Sequence, residues 1–172
     1  MTSSFAIPSA VIAISLIACV TDLRTQRIPN VLTFGAAIAG LVAHTALGGA
    51  TGALTASSGW LTGLIIFLPF FALGGMGGGD VKLLAALGAW LGAYETLYVA
   101  LYAGAAGGAL AVVVASSRGY LRVALTNVLD ILRYWCESGI RPVPNFTLDT
   151  PDAPRLAYAL PMFLGVVVTL WL

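Results

Sequence analysis

Charged residues are scarce in this sequence. Lysine and arginine together number 8 and aspartate and glutamate 7, so 9% of the 172 residues are charged, whereas 59% are hydrophobic. Soluble domains usually carry about 25% charged residues, and water could not solvate the surface of a fold this apolar. The composition excludes a soluble globular domain and predicts a protein folded in a lipid membrane. The chain also lacks any run of basic residues, so we expect no binding to nucleic acid.

Histidine and cysteine are nearly absent as well. His44 is the only histidine, and the two cysteines, Cys19 and Cys136, are far apart with no CxxC pair. These residues cannot supply a histidine-dependent catalytic triad, a multi-histidine metal site or a structural zinc site. We therefore expect no metal and no cofactor, and we expect His44 to have a packing role.

Long apolar segments recur along the whole chain. A helix needs about 20 residues to cross a hydrocarbon core about 30 Å thick, and six segments approach that length: 5–21, 30–47, 57–73, 81–93, 95–115 and 156–172. The sequence predicts an all-α, polytopic helical membrane bundle with about six transmembrane helices, forming a single domain over residues 1–172. The fourth segment is short, so five crossings with a re-entrant fourth segment is the alternative.

Glycines inside these segments are expected to let the helices pack closely, as small residues do in membrane proteins. The glycines concerned are Gly35, Gly40, Gly63, Gly88, Gly104, Gly107 and Gly108.

The basic residues predict the orientation of the bundle. Lysine and arginine are enriched in cytoplasmic loops. If both termini face outward, all eight basic residues lie on the cytoplasmic side, and the uncharged connection over residues 49–56 faces outward.

Residues 116–155 form a predicted cytoplasmic insertion. An apolar side chain recurs there at helical spacing, which predicts an amphipathic helix in the membrane interface; the residues are Leu121, Leu125, Val128, Leu132 and Trp135. Anchoring to membrane lipid is its expected role, with substrate binding as the alternative. Residues 141–154 include four prolines and predict an irregular loop.

Two acidic residues, Asp22 and Asp80, lie at the ends of apolar segments and on the same predicted side of the membrane. Ionisable residues at membrane depth are costly and indicate function. Each alone has a simpler interpretation, since Asp80 could cap a helix and Asp22 could pair with Arg24 or Arg27. Together, two carboxylates can share a proton: the ionised one accepts a proton from an attacking water, and the neutral one donates a hydrogen bond to a peptide carbonyl.

A glycine run precedes Asp80. Gly77, Gly78 and Gly79 permit positive φ and close approach to an extended substrate, so we expect them to support the site. The run lacks the GK[ST] ending of a phosphate loop, and no βαβ unit of a dinucleotide fold is visible. Lys82 is interpreted as a site-supporting partner for a carboxylate or a lipid phosphate, or as a side chain that extends to the interface.

These motifs resemble those of a known family. Gly77-Gly78-Gly79-Asp80 matches the GxGD motif of membrane aspartic proteases, and residues 77–84 and 22–30 resemble the two aspartate motifs of the type IV prepilin peptidases. The resemblance covers about residues 5–115 and implies that Asp22 and Asp80 are the catalytic pair. It also implies the substrate, a prepilin with a short basic leader followed by a hydrophobic helix, cut at the cytoplasmic face of the bacterial inner membrane.

The chain departs from the larger, bifunctional members of that family. Those members carry a cytoplasmic insertion with a four-cysteine zinc site and also methylate the new N-terminus, whereas here only residues 22–28 link the first two segments. The chain is therefore similar to the short class that processes Flp (tight-adherence) pilins, and methylation is not expected. The insertion over residues 118–155 is long for that class.

Two other functions fit the same features. In a transporter or channel, Asp22 and Asp80 would line an ion path, although the later half of the chain has no second interruption like the glycine run. In a membrane assembly factor, the aspartates would only cap helices, and Asp80→Asn would be nearly silent because asparagine caps as well as aspartate.

Overall fold

The computed structural model describes residues 3–143 and 156–172. The described residues contain six helices and no strand: α1 Ser3–Thr25, α2 Asn30–Ala72, α3 Gly78–Leu91, α4 Ala93–Ser117, α5 Leu121–Ser138 and α6 Ala159–Trp171. The predicted all-α architecture is confirmed. Three helices, α1, α2 and α4, are long and apolar enough to cross a membrane, and α6 is a shorter apolar helix.

Helix α2 consists of two antiparallel arms that meet at Gly49. This residue has φ 57° and ψ −136°, whereas the rest of the helix is regular, and only glycine adopts such a conformation without strain. The arms, residues 30–48 and 50–72, correspond to the predicted second and third segments. The predicted connection over residues 49–56 is wrong, because the chain reverses at one glycine and residues 50–56 are helical.

Helix α3 lies between the two arms of α2. Its residues from Leu83 to Ala89 are buried, and Gly59 of α2 approaches the backbone of Gly88 closely. At its C-terminal end, the indole Nε1 of Trp90 donates a hydrogen bond of 2.8 Å to the carbonyl of Ala36. His44 Nε2 lies 2.8 Å from the carbonyl oxygen of Trp90, in agreement with its expected packing role.

The two ends of α3 lie at opposite ends of the first α2 arm. Its first turn contacts Asn30 through Lys82, whereas its last turn contacts His44 near the bend. Helix α4 then begins at Ala93, beside that second end. This path follows the order of the six predicted segments, but α3 has 14 residues, about 21 Å of helix, so a full crossing by α3 stays a prediction.

Helices α4, α6 and α1 complete the bundle. Helix α6 runs antiparallel to α4, since Gly165 packs against the backbone of Val99 and Ala103, whereas Tyr158 packs against Gly107. Helix α1 is longer than predicted, because it continues through Thr25 rather than ending at residue 21, and the link to α2 shrinks to residues 26–29.

The glycine prediction is partly confirmed. Four of the glycines lie against neighbouring helices, where an added side-chain carbon would meet other atoms: Gly40, Gly63, Gly88 and Gly107. The prediction is wrong for Gly35, Gly104 and Gly108, which have open space around them.

The predicted amphipathic helix is present as α5, Leu121–Ser138, and none of its residues is buried. Its apolar side chains Leu125, Val128 and Leu132 are about half exposed. The predicted irregular loop over residues 141–154 falls largely outside the described residues.

Candidate active site

Asp22 lies in the last turn of α1 and is 7% exposed. Its Oδ2 accepts a hydrogen bond of 3.2 Å from the backbone N–H of Ala159, the first residue of α6. In the described part of the chain the only ion pair joins Arg133 and Asp130. The interpretation of Asp22 as an ion-pair partner of a neighbouring arginine is therefore wrong for this structure.

Asp80 lies in the first turn of α3. The residue that caps this helix is Gly77, with an extended backbone at φ −74° and ψ 144°, and no side chain caps the helix. The backbone N–H of Asp80 donates a hydrogen bond of 3.1 Å to the carbonyl of Gly77. The interpretation of Asp80 as the helix cap is therefore wrong, although a carboxylate three residues into a helix is favoured by the helix dipole.

Asp22 and Asp80 line the same cavity. We call it the aspartate cavity; it has a volume of about 390 Å³ and is lined by Asp22, residues 26–30 and residues 77–80. The end of α1, the link to α2 and the first turn of α3 converge around it. The structure thus brings the two predicted aspartates together with Gly77, Gly78 and Gly79.

The glycine run allows this convergence through close contacts. A side-chain carbon at Gly77 would lie 3.1 Å from Oδ2 of Asp80, and one at Gly79 would lie 3.3 Å from Cβ of Ile28. Both distances are short for contacts with a methyl group. The two glycines therefore keep space for the Asp80 carboxylate and let α3 begin close to the link.

Lys82 does not line the aspartate cavity. Its Nζ donates a hydrogen bond of 3.0 Å to Oδ1 of Asn30 and lies 5.6 Å from the ring centroid of Phe34. The interpretation of Lys82 as a carboxylate partner is wrong within the described residues, since it forms no ion pair there. It instead joins the first turn of α3 to the start of α2, and Asn30 lines the cavity.

Sequence reasoning missed Ala159. Its contribution comes from a backbone N–H, and its methyl side chain carries no chemical signal. The tetrapeptide Gln26-Arg27-Ile28-Pro29 belongs to the segment that resembles the first aspartate motif of the family, but sequence reasoning assigned it no role in the site. In the structure it forms one wall of the cavity.

The arrangement provides two carboxyl groups on one cavity, and carboxyl groups can act as general acids and bases. Across residues 3–143 and 156–172, no group of three or more histidine, cysteine, aspartate or glutamate side chains could hold a metal ion.

Residues 9–112, more than half of the chain, match the model of the type IV leader peptidase family, and this range includes both aspartates. The chain is 36% identical over 128 residues to a "Prepilin leader peptidase/N-methyltransferase" of Burkholderia pseudomallei (strain K96243), a match that covers 70% of this chain and 39% of the relative. A protein of the same name from Dickeya chrysanthemi is 42% identical over 77 residues, 41% of this chain and 27% of the relative. The chain thus spans well under half the length of these relatives, and no solved structure matches it significantly.

Proposed function

This chain belongs to the type IV leader peptidase family, and from that membership we propose that it is a prepilin leader peptidase of the aspartic type, with Asp22 and Asp80 as its catalytic pair. The observation that carries the proposal is the aspartate cavity, on which both carboxyl groups lie. The names of the curated relatives support the prepilin as substrate.

The proposed reaction needs only a water and the two carboxyl groups. The water oxygen bonds to the carbonyl carbon while one proton of the water passes to the ionised aspartate. The neutral aspartate gives its proton to the carbonyl oxygen. When the tetrahedral intermediate collapses, the C–N bond breaks, the leaving nitrogen takes the proton held by the first aspartate, and a hydroxyl of the intermediate returns a proton to the second aspartate, which restores the starting pair. The products are a leader with a free carboxylate and a pilin with a free N-terminus.

The proposed site of cleavage is the cytoplasmic face of the bacterial inner membrane. The start of α2, the start of α3 and the end of α4 lie at the aspartate end of the bundle, and the basic residues Arg24, Arg27, Lys82 and Arg118 are near these points. Positive residues are enriched on the cytoplasmic side of membrane proteins, which supports this orientation.

We assign peptidase activity alone, and the short class acting on Flp-type pilins. The relatives' names include a methyltransferase, but the two cysteines of this chain lie on different helices, with Cys19 buried in α1 and Cys136 exposed on α5. They cannot form the four-cysteine zinc site that the family resemblance associates with methylation.

The test is cleavage of a co-expressed Flp-type prepilin, read by N-terminal sequencing of the pilin. Asp22→Asn and Asp80→Asn should each reduce cleavage by about 100-fold or more, the usual contribution of a general acid or base. The matched control is Asp130→Asn, which changes an exposed aspartate on α5 and should leave cleavage unchanged.

Normal cleavage by either cavity variant would refute the assignment. Membrane insertion of each variant, measured by its amount in the membrane fraction, separates lost chemistry from lost folding. Proton-coupled flux in liposomes without any cleavage would instead favour the transporter interpretation.

A further inference from the structure

The start of α6 and Asp22 are joined by a buried hydrogen bond. The backbone N–H of Ala159 donates to Oδ2 of Asp22 over 3.2 Å, and Ala159 is completely buried. The first N–H groups of any helix have no partner within the helix. Here one of them is used by a carboxylate from a helix at the other end of the chain.

Such a donor favours the charged form of its acceptor. A hydrogen bond donated to a carboxylate stabilises the ionised state, and the positive end of the α6 dipole acts in the same direction. Asp80 lies near the start of its own helix, so the dipole alone does not distinguish the two aspartates. Each carboxylate also has a backbone N–H within reach, Gly77 for Asp80 and Ala159 for Asp22. The two differ in origin, because Gly77 belongs to the start of the helix that carries Asp80, whereas Ala159 is the buried start of a distant helix.

The other ionisable groups near Asp22 are few. Cys19 lies one turn earlier on α1. Asp80 and Arg27 line the aspartate cavity together with Asp22. Tyr158 precedes Ala159 at the start of α6. None of the described cations forms an ion pair with either aspartate. Two nearby carboxylates disfavour ionisation of both together, so the balance of hydrogen bonds to the two decides which of them is charged.

We propose that the Ala159 N–H is a positioning group that keeps Asp22 ionised, so that Asp22 accepts the proton of the attacking water and Asp80 carries the proton given to the carbonyl oxygen. This assignment of roles rests on the proposed peptidase function. It gives the two aspartates different tasks in the forward reaction, and it explains why α6, far from the glycine motif in sequence, is part of the site.

The test removes the N–H and keeps the helix. Proline is tolerated at the first position of a helix, where the N–H has no partner in the helix, so Ala159→Pro deletes the donor. Ala159→Val is the matched control, because it also adds side-chain atoms at this buried position but retains the N–H. Both are compared with the full-length wild-type protein in detergent micelles, using a purified prepilin and measuring kcat from about pH 5 to pH 9.

Ala159→Val should lower kcat to a similar extent at every pH, because it overpacks a buried position, but it should keep the low-pH limb of the wild-type profile. At low pH, kcat falls as Asp22 becomes protonated. Because Ala159→Pro removes a hydrogen bond to the ionised form of Asp22, this low-pH limb of the kcat profile should move to higher pH by about one pH unit, the size expected for the loss of one such bond. A purely structural role of Ala159 would lower kcat at every pH and leave the limb in place. Identical limbs in the two variants, with an active wild type, would overturn the role assigned to Ala159 while the peptidase function stands. An inactive wild type would refute the peptidase function itself.

Proline also restricts the residue before it, and Tyr158 has a helical backbone with φ −72° and ψ −14°. A second measurement therefore covers the case in which Ala159→Pro does not fold. Infrared spectra of Asp22→Asn and Asp80→Asn, recorded as a function of pH, follow ionisation of the one aspartate that remains in each variant. The carboxylate band should appear at lower pH in Asp80→Asn, where Asp22 remains, than in Asp22→Asn, where Asp80 remains. The reverse order would overturn the assignment.

Discussion

Oδ2 of Asp80 lies 3.1 Å from the position that a side-chain carbon would occupy at Gly77. The first glycine of the GxGD motif thus leaves the space beside the carboxylate that ends the motif. Any side chain at Gly77 would press on that carboxylate within the aspartate cavity.

Gly77→Ala should therefore reduce kcat by about tenfold, since small displacements of a reacting group are costly in rate. The matched control is Gly75→Ala, where the nearest atom to the added carbon is the Phe70 carbonyl oxygen at an ordinary 3.6 Å. Cleavage kinetics with a purified prepilin measure both variants. Equal kcat values for the two would show that the Gly77 contact does not position Asp80.

Gly63 should be essential for the packing of α2 on α3. An added side-chain carbon there would lie 2.6 Å from the Leu84 carbonyl oxygen and 2.8 Å from Cα of Ala85, which are backbone atoms that cannot rotate away. Overpacking of this kind costs about 1–3 kcal/mol, so Gly63→Ala should lower the thermal unfolding temperature in detergent.

The control for that experiment is Gly35→Ala, in the other arm of α2. No atom lies within 4 Å of its added carbon, and alanine favours helix over glycine by up to about 1 kcal/mol. Its unfolding temperature should be unchanged or raised. If both variants unfold at the same temperature, the close approach of α2 and α3 at Gly63 is not maintained in solution.

Trp90 should tie the end of α3 to the first arm of α2 by a hydrogen bond. Trp90→Phe keeps most of the aromatic ring volume but removes the Nε1–H that donates to the Ala36 carbonyl. The expected loss of unfolding free energy is about 1 kcal/mol. Trp171→Phe, at an exposed position at the end of α6, is the control and should change it little. Equal unfolding free energies for both variants would contradict the prediction.

The apolar face of α5 should be covered by membrane lipid. Leu132 and Arg133 are adjacent and both are exposed in the protein, but they point to different sides of the helix. In a chain with Cys19→Ala and Cys136→Ser, a cysteine at position 132 should react about tenfold more slowly with a water-soluble maleimide than one at position 133. Equal rates in liposomes would show that this face is in water and would remove the anchoring role.

Much of the fold could be predicted because its signals are local. Hydropathy marked all six segments. The errors occurred where local signals mislead. The chain reverses at Gly49 alone, without the predicted connection. Helix α1 continues through polar residues to Thr25, because a helix can extend beyond the hydrocarbon core into water.

The sequence predicted several residues that line the aspartate cavity, but it predicted some of their contacts wrongly. Asp22 and Asp80 were marked by their rarity and by their places at segment ends. The partner of Lys82 was misassigned because side chains two residues apart, such as those of Asp80 and Lys82, do not face each other on a helix. The role of Ala159 could not be predicted, since every residue type except proline has a backbone N–H.

By itself the sequence determined the apolar helices, their approximate ends and the two aspartates at those ends, since all of these depend on hydropathy and turn residues over short stretches. Only the tertiary structure decided which groups meet. The Asp22–Ala159 hydrogen bond spans 137 residues, and the aspartate cavity forms from α1, α3 and the link between α1 and α2. These contacts depend on how helices from distant parts of the chain pack against each other at their glycines. Such shape complementarity is not encoded in any single stretch of residues.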